Sequence, residues 1–134
     1  MRVFGLRRFF RDKEALRKRL TPLQWYVTQE KGTEPPFSSA FYDSKKPGTY
    51  ACVVCESDLF SSKDKFDSGT GWPSFTQPLV QVKEADDYEL MMKRTEVKCP
   101  KCDSHLGHLF SDGPKPTGLR YCINAAALEF KFNE

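Results

Sequence analysis

The chain has 134 residues, of which 39% are hydrophobic and 29% charged, enough apolar material for one soluble domain of ordinary size. No run approaches the roughly 20 apolar residues of a membrane-spanning helix, so we expect no membrane span. The net charge of +3 is uneven, because residues 1–20 carry +6 and the other 114 residues carry −3. An acidic body argues against a nucleic-acid-binding protein.

Residues 1–11 form a basic N-terminal arm with four Arg, several apolar residues and no acid. This composition resembles the tip of a mitochondrial presequence, although the segment is short and lacks Ser. A basic tail is the alternative interpretation. No secretory signal peptide precedes the domain, so we expect an intracellular location and favour mitochondria over the cytoplasm.

Two short helices are predicted next. Asp12 can cap a helix that runs through Arg19. A second helix begins at Thr21, because Pro22 suits the first helical position and Gln24 completes a capping box. It should run to about Lys31 and stop at Gly32, before a Gly-, Pro- and Ser-rich loop over residues 32–48.

The remainder of the chain favours short strands separated by turns such as Ala85–Asp87. The predicted strands are Thr49–Val54, Tyr88–Lys98, His105–Phe110, Leu119–Asn124 and Leu128–Phe132. We therefore predict a mainly β, mostly antiparallel domain with N-terminal helices.

Four of the five cysteines form two C-x-x-C pairs, Cys52/Cys55 and Cys99/Cys102. In a reducing compartment such pairs are typical of metal ligands, and four thiolates suit tetrahedral zinc. A site closed by four protein ligands leaves no position for substrate, so the zinc would be structural. Two redox dithiols or ordinary buried cysteines are the alternatives.

The fifth cysteine, Cys122, lies in the predicted strand Leu119–Asn124. Side chains alternate along a strand, so Arg120, Cys122 and Asn124 share one face, opposite an apolar face. We expect the nearby Arg to favour the thiolate, which would make Cys122 a candidate nucleophile. A buried structural cysteine is an equally good interpretation of the strand pattern.

Both histidines of the chain, His105 and His108, lie in the segment that ends at Asp112. A spacing of three does not put them on one face of a regular strand, but a bulge at Gly107 would. Histidine is a natural proton donor, and Asp112 could hold the imidazole or supply charge. A core histidine at His105, or one that completes the zinc site, is the alternative.

A turn with two glycines, Ser68–Gly71, precedes Trp72. Such a turn can display the aromatic ring directly after it, where the ring would suit an apolar or methyl-bearing substrate. A core Trp is the alternative interpretation.

The combined motifs resemble the methionine sulfoxide reductases of the B type. The resemblance runs from about Asp12 to the C-terminus, so the predicted domain is 12–134. The segments that carry it are KFDSGTGWPSF, RTEV, SHLGHLFSD and LRYCIN, together with both C-x-x-C pairs. It implies two small antiparallel sheets in a β-tent-like arrangement, a structural Zn²⁺ held by Cys52, Cys55, Cys99 and Cys102, and reduction of methionine-R-sulfoxide, free or in oxidised proteins, as protein repair under oxidative stress.

The resemblance also implies roles for single residues. Cys122 would attack the sulfoxide sulfur and become a sulfenic acid, while His108 and His105 would supply a proton to the sulfoxide oxygen. Asp112, Arg120 and Asn124 would organise the pocket, and Trp72 would bind the substrate methyl group.

The sequence departs from the family pattern at Thr70, where many members have a cysteine that resolves the sulfenic acid. We therefore predict that thioredoxin or another external thiol regenerates Cys122. We also expect a monomer. The changes at Asn124–Ala127 are expected to affect packing only.

Two other classes of protein remain possible at this stage. A zinc-ribbon binding module would use the same four cysteines but leaves Cys122 and the histidines without a role. A thiol–disulfide oxidoreductase would use the C-x-x-C pairs as free dithiols, which bound zinc would exclude.

Overall fold

Two helices open the part of the chain that the structure describes, residues 12–132 of a computed structural model. Helix α1, Lys13–Arg19, begins at Asp12, whose carboxylate accepts the N–H groups of Glu14 and Ala15. Helix α2, Pro22–Gln29, begins at Thr21, where the capping box with Gln24 is present in both directions. Both predicted helix starts are confirmed; the basic arm over 1–11 lies outside the described residues.

Helix α2 ends two residues earlier than predicted, with Glu30 as its C-cap. Lys31, and not Gly32, takes the left-handed conformation after the helix, with a φ of 58°. Gly32 serves packing instead, since a Cβ at this position would lie 2.2 Å from the ring of Tyr26. The glycine thus marks the helix end for a steric reason rather than a conformational one.

Nine strands form two antiparallel sheets in the described chain, which confirms the predicted mainly β fold. The first sheet has the order β2-β1-β9, and its strands are Gly48–Cys52 (β1), Asp58–Ser61 (β2) and Leu128–Phe132 (β9). The second has the order β3-β4-β8-β7-β6-β5. Its strands are Lys65–Phe66 (β3), Ser74–Phe75 (β4), Lys83–Asp87 (β5), Arg94–Lys98 (β6), His105–Phe110 (β7) and Arg120–Ile123 (β8).

The predicted single strand Tyr88–Lys98 is wrong. Strand β5 and strand β6 form an antiparallel hairpin, joined through a short 3-10 turn at Glu89–Met91. Leu90 and Met91 have left-handed φ angles of 64° and 59°, which reverse the chain in the middle of the predicted strand. The predicted turn Ala85–Asp87 is correspondingly wrong, because these residues belong to β5.

The two sheets pack against each other through aromatic side chains. Phe75 of β4 stacks on Phe60 of β2 with ring centroids 4.5 Å apart, and meets Tyr50 of β1 edge-on at 5.3 Å. All three rings are fully buried. Burial of each such side chain contributes about 1.5–3 kcal/mol to the stability of the fold. This contact therefore fixes β4 and the turn before it. Within residues 12–132, no helix has the length and apolar character needed to cross a bilayer.

Candidate active site and metal centre

A cavity of about 160 Å³ opens where the second sheet meets the turn that precedes β4. Its wall combines side chains from that turn with side chains from three neighbouring strands, β6, β7 and β8. The predicted site residues in the wall are Trp72, His108, Arg120, Cys122 and Asn124. His105 and Asp112 lie outside the wall.

Strand β8 presents Cys122 to the cavity as the alternation predicts. Arg120, Cys122 and Asn124 line the cavity, while Tyr121 and Ile123 are buried in the core. Cys122 is half-buried, so its sulfur is neither enclosed in the core nor part of the four-cysteine cluster. The structure therefore places this thiol on the same face as Arg120 and Asn124, apart from the four-cysteine cluster.

Gly107 allows strands β7 and β8 to approach closely at the site. A Cβ at this position would lie 2.0 Å from the carbonyl oxygen of Cys122. This close pairing brings His108 directly opposite Cys122 in the antiparallel register. Residues in such pairs have Cβ atoms about 4.5–5.5 Å apart, so the imidazole and the thiol are immediate neighbours.

The pKa of the Cys122 thiol is shifted in the direction opposite to the one expected from the sequence. Burial raises the pKa of Cys122 above its ordinary value, and the charge and hydrogen bond of Arg120 lower it by less. The negative charges of Asp112 and Glu34 add to the increase. The predicted dominance of the Arg is therefore wrong, because desolvation of the thiolate is the larger effect.

Arg120 is held in place by two contacts. Its Nε and NH2 atoms donate to the two carboxylate oxygens of Asp112 at 2.8 and 3.1 Å, and its guanidinium lies 4.5 Å from the ring centroid of Phe110. Asp112 therefore orients the Arg; the carboxylates that contact the imidazoles are Asp87 and Glu96. The expectation that Asp112 holds an imidazole is therefore wrong, because its carboxylate binds Arg120 instead.

The predicted bulge is present in β7 and brings the histidines together. Gly107 pairs with Val97, whereas His105 pairs with Lys98, so Leu106 is the extra residue. The two imidazole rings consequently lie with centroids 5.5 Å apart.

Each imidazole contacts a carboxylate at 2.7 Å: Nε2 of His108 contacts Asp87, and Nδ1 of His105 contacts Glu96. Burial lowers the pKa of His105 more than Glu96 raises it, and its Nε2 has no hydrogen-bond partner within residues 12–132. His105 is therefore a buried imidazole beside His108, and its burial disfavours the charged form.

Sequence reasoning assigned no role to the two carboxylates or to the cations beside them, although Arg94 and Glu96 lie in the RTEV segment. Lys31 lies 3.3 Å from Asp87 and 3.7 Å from Glu96, and Arg94, which lines the cavity, lies 3.5 Å from Asp87. Asp87 gave no signal because its edge strand is mostly charged. Two histidines in a mostly apolar strand were the one available signal, since buried imidazoles require polar partners.

Glu34 fixes the other side of the cavity and was also missed. Its carboxylate is 2% exposed at the residue level and accepts the N–H groups of Ala125 and Ala126, each at 2.8 Å. Its backbone N–H donates to Asn124 Oδ1, and its carbonyl accepts the indole N–H of Trp72. Glu34 thus ties the Trp ring and the end of β8 to one loop, although burial raises the pKa of its carboxyl group more than these bonds lower it.

The two C-x-x-C pairs form similar knuckles on different sheets. The first follows β1 and the second follows β6. In each knuckle the residue after the second cysteine, Glu56 or Asp103, has a left-handed φ of 68° or 69°. Serine hydroxyls occupy matching positions, with Ser57 3.2 Å from the sulfur of Cys55 and Ser104 3.1 Å from that of Cys102.

The four sulfur atoms of the knuckles lie within 4.8 Å of one another, so the cluster could hold a metal ion. Three of the cysteines are buried, and Cys102 is partly exposed. The predicted ligand set is thereby brought together in space, and it ties the end of β1 to the end of β6.

Comparison with known proteins agrees with this arrangement. The family model described as the SelR domain matches residues 20–132. A protein of Mus musculus named methionine-R-sulfoxide reductase B3, mitochondrial, is 53% identical over 121 residues, which cover 89% of this chain and 48% of the mouse protein. A protein of Thioalkalivibrio sulfidiphilus (strain HL-EbGR7) named peptide methionine sulfoxide reductase MsrB is 53% identical over 120 residues, 88% of each chain. The chain spans about half the length of the mouse relative and most of the bacterial one. It belongs to the SelR domain family.

Proposed function

We propose that this chain is a peptide-methionine (R)-S-oxide reductase, an oxidoreductase that acts on sulfur. One observation carries the proposal: a half-buried thiol, Cys122, faces a cavity beside an imidazole, a guanidinium and an indole ring. The names of both relatives support the substrate class.

The reaction begins at the sulfur of Cys122. It attacks the sulfoxide sulfur and forms a sulfur–sulfur bond, while the sulfur–oxygen bond of the substrate breaks and its protonated oxygen leaves as water. A water molecule then attacks the sulfur of Cys122, the sulfur–sulfur bond breaks and the methionine side chain leaves as the sulfide. Cys122 is left as a sulfenic acid, so the cysteine loses the two electrons that the methionine sulfur gains. Trp72, held through its indole N–H by Glu34, offers the apolar wall against which the substrate methyl group packs.

The sulfoxide oxygen needs a proton as its bond to sulfur breaks. His108 lines the cavity opposite Cys122 and is the donor in this proposal, while the buried His105 supports its ring. Arg120, oriented by Asp112, offers N–H groups and positive charge where negative charge develops on oxygen. The side-chain amide of Asn124 accepts the backbone N–H of Glu34 and donates to the backbone carbonyl of Leu106, so its role is to fix the cavity wall.

Regeneration of Cys122 requires an external thiol, with thioredoxin or a small dithiol as the reductant. Thr70 lines the cavity where a second thiol would resolve the sulfenic acid, and the other four cysteines cluster elsewhere. One external thiol attacks the sulfenic acid, releases water and forms a mixed disulfide, and a second thiol then frees Cys122. An intramolecular disulfide at Cys122, found by mass spectrometry after one turnover, would contradict this route.

Structural zinc is the metal that the cluster fits. The sulfur pairs Cys52/Cys102 and Cys55/Cys99 are each 3.6 Å apart. Tetrahedral zinc with bonds of about 2.3 Å to sulfur would place its ligands about 3.8 Å apart. Four thiolates would close the coordination shell, so the ion would contribute stability and leave the reaction to the cavity residues.

The proposal includes a monomer in mitochondria that repairs oxidised proteins. The cavity wall is complete within one chain, which supports the monomer. The name of the mouse relative and the basic arm support the location. Imaging of the full-length protein beside a mitochondrial marker tests the location, and an exclusively cytosolic signal would contradict it.

An epimer-resolved assay tests the activity. The wild type and Cys122→Ser are each given methionine-R-sulfoxide and methionine-S-sulfoxide, with dithiothreitol and then with thioredoxin. We expect turnover of the R epimer by the wild type and none by the variant. Equal activity of the variant would contradict the mechanism, and turnover of the S epimer alone would contradict the substrate.

A thiol titration of the zinc-loaded protein separates the reductase from a zinc-ribbon binding module. The reductase has one reactive thiol at Cys122, whereas the module has none. The clustering of the other four sulfur atoms already favours a metal site over the free dithiols of a thiol–disulfide oxidoreductase.

A further inference from the structure

A continuous chain of ionisable side chains lies behind the part of the cavity wall that carries His108. It runs from His108 to Asp87 at 2.7 Å, to Lys31 at 3.3 Å, to Glu96 at 3.7 Å and to His105 at 2.7 Å. Four of its five members are less than 10% exposed. The chain therefore couples both imidazoles to one ammonium group through two carboxylates.

We infer that Asp87 is a positioning residue for the sulfoxide reduction, holding His108 as a donor through its Nδ1 atom, and that Lys31 balances the charge of this buried carboxylate. This inference rests on the proposed function, since it concerns the proton that the sulfoxide oxygen receives.

The contacts of Asp87 are those of a compensated buried anion. It is 2% exposed, and an isolated carboxylate at such a site would be strongly destabilising. One oxygen accepts from Nε2 of His108, and the other accepts the N–H of Glu89 at 3.0 Å and faces Lys31. Burial raises the pKa of Asp87, but these bonds outweigh burial and lower it below its ordinary value.

An ionised Asp87 determines which nitrogen of His108 faces the substrate. A carboxylate can only accept hydrogen bonds, so the Nε2 atom in contact with Asp87 must carry a proton. The nitrogen left for the cavity is Nδ1, which can take a second proton and donate it. The negative charge of Asp87 stabilises the imidazolium that this second proton creates.

Charged side chains from several elements face His108 and its buried partners. The ionisable side chains that face this cluster are Lys31 after α2, Asp87 of β5, Glu89 of the hairpin turn, Arg94 and Glu96 of β6, His105 of β7, and Arg120 and Cys122 of β8. The two carboxylates that contact the imidazoles carry two negative charges. The positive charges of Lys31 and Arg94 beside them balance these. Burial lowers the pKa of His105, and of the two imidazoles it is His108 that lines the cavity.

The backbone at Lys31 supports its role. Lys31 adopts a left-handed φ of 58°, a conformation that costs a residue other than Gly or Asn about 1 kcal/mol. Its ammonium group lies between the two buried carboxylates, and their charges raise the pKa of Lys31 above its ordinary value although burial lowers it. A lysine at a position that favours glycine indicates that its side chain, and not the turn, is what the site requires.

Two substitutions with opposite expected effects on pH dependence test the inference. Asp87→Asn removes the anion that stabilises the imidazolium. In a plot of kcat against pH with methionine-R-sulfoxide, the fall in kcat on the alkaline side (the alkaline limb) should therefore occur at lower pH. We also expect kcat to fall about 100-fold, the lower end of what a proton donor contributes, while KM changes less than threefold. Lys31→Met removes a cation near the same imidazolium, so the limb should move to higher pH.

The control is Asp86→Asn, the same chemical change one residue earlier on β5. The carboxylate of Asp86 is mostly exposed and lies 3.8 Å from Lys93, so its removal should leave the profile and kcat unchanged. A merely structural role for Asp87 and Lys31 would lower activity in both variants without moving the limb in opposite directions.

A nitrogen-15 NMR measurement on the wild type tests the same inference without any variant. The neutral imidazole of His108 should carry its proton on Nε2. An Nδ1 tautomer in the wild type, or an unchanged profile in both variants, would overturn the inference. A wild type that is inactive with methionine-R-sulfoxide would instead overturn the proposed function, and the NMR result would still report on Asp87.

Discussion

At Cys122 the reactivity of one thiol depends on two opposed effects. Burial raises the pKa of the thiol, and Arg120 lowers it by less. Because the raised pKa disfavours the charged form, this balance favours the protonated thiol over the thiolate. A protonated thiol is also less exposed to oxidation by peroxide, which consumes thiolates.

Removal of the guanidinium should therefore slow alkylation of Cys122. In Arg120→Gln we expect the pKa of Cys122 to rise further, because desolvation is no longer opposed. One unit of pKa lowers the thiolate fraction about tenfold at neutral pH. The rate of iodoacetamide modification against pH, followed by mass spectrometry at Cys122, measures the shift.

Lys83→Gln is the matched control for Arg120→Gln. It removes a cation at the end of the β5–β6 hairpin opposite its turn, where the Lys83 ammonium forms an ion pair with Asp103. An equal reduction of the alkylation rate in both variants would attribute the effect to net charge rather than to the contact with Arg120.

At the scale of elements, the register between β7 and β8 is what brings imidazole and thiol together. The predicted strand His105–Phe110 is confirmed with its bounds, and the bulge beside Gly107 turns both histidines to one side. The partner strand could not be chosen from the sequence, because alternation marks a buried face without naming its neighbour.

Gly107→Ala should disrupt this register. The added methyl group would lie 2.0 Å from the carbonyl oxygen of Cys122, a backbone atom that cannot move without separating the strands. We expect a loss of about 2 kcal/mol or more in the free energy of unfolding, measured by urea denaturation, together with loss of activity.

Gly118→Ala provides the comparison for this substitution. A Cβ there meets no described atom within 4 Å, and only its left-handed φ of 70° opposes the change. We expect Gly118→Ala to lower the free energy of unfolding by about 1 kcal/mol. Similar losses in the two variants would show that the close approach of β8 is not what Gly107 provides.

Across the whole molecule, the four-cysteine cluster joins the two sheets. The knuckles follow β1 of the three-stranded sheet and β6 of the six-stranded sheet. Metal binding to such a site is coupled to folding, because the unfolded chain does not hold the ligands together.

Loss of one ligand should release the metal and destabilise both sheets. In Cys99→Ser we expect less than stoichiometric zinc by elemental analysis and a fall in Tm of more than 10 °C, since removal of a structural metal costs several kcal/mol. Cys122→Ser should keep both zinc content and Tm. Loss of zinc in Cys122→Ser would contradict the separation of the two sites.

The sequence by itself determined the features that depend on neighbouring residues. Helix caps at Asp12 and Thr21, the alternation that puts Cys122 beside Arg120 and Asn124, and the two C-x-x-C knuckles all follow from local hydrogen bonding and side-chain direction. The motifs around Cys122 and His108 were sufficient to identify the family. The domain bounds 12–134 stay a prediction.

Only the tertiary structure decided which distant groups meet and how far water is excluded from them. Asp87 reached His108 because β5 folds back on β6, a reversal that strand propensity does not encode, and Lys31 reached Asp87 across 56 positions of sequence. The net effect on the thiol of Cys122 also depended on the fold, since desolvation is a property of the surrounding packing and outweighed the adjacent guanidinium.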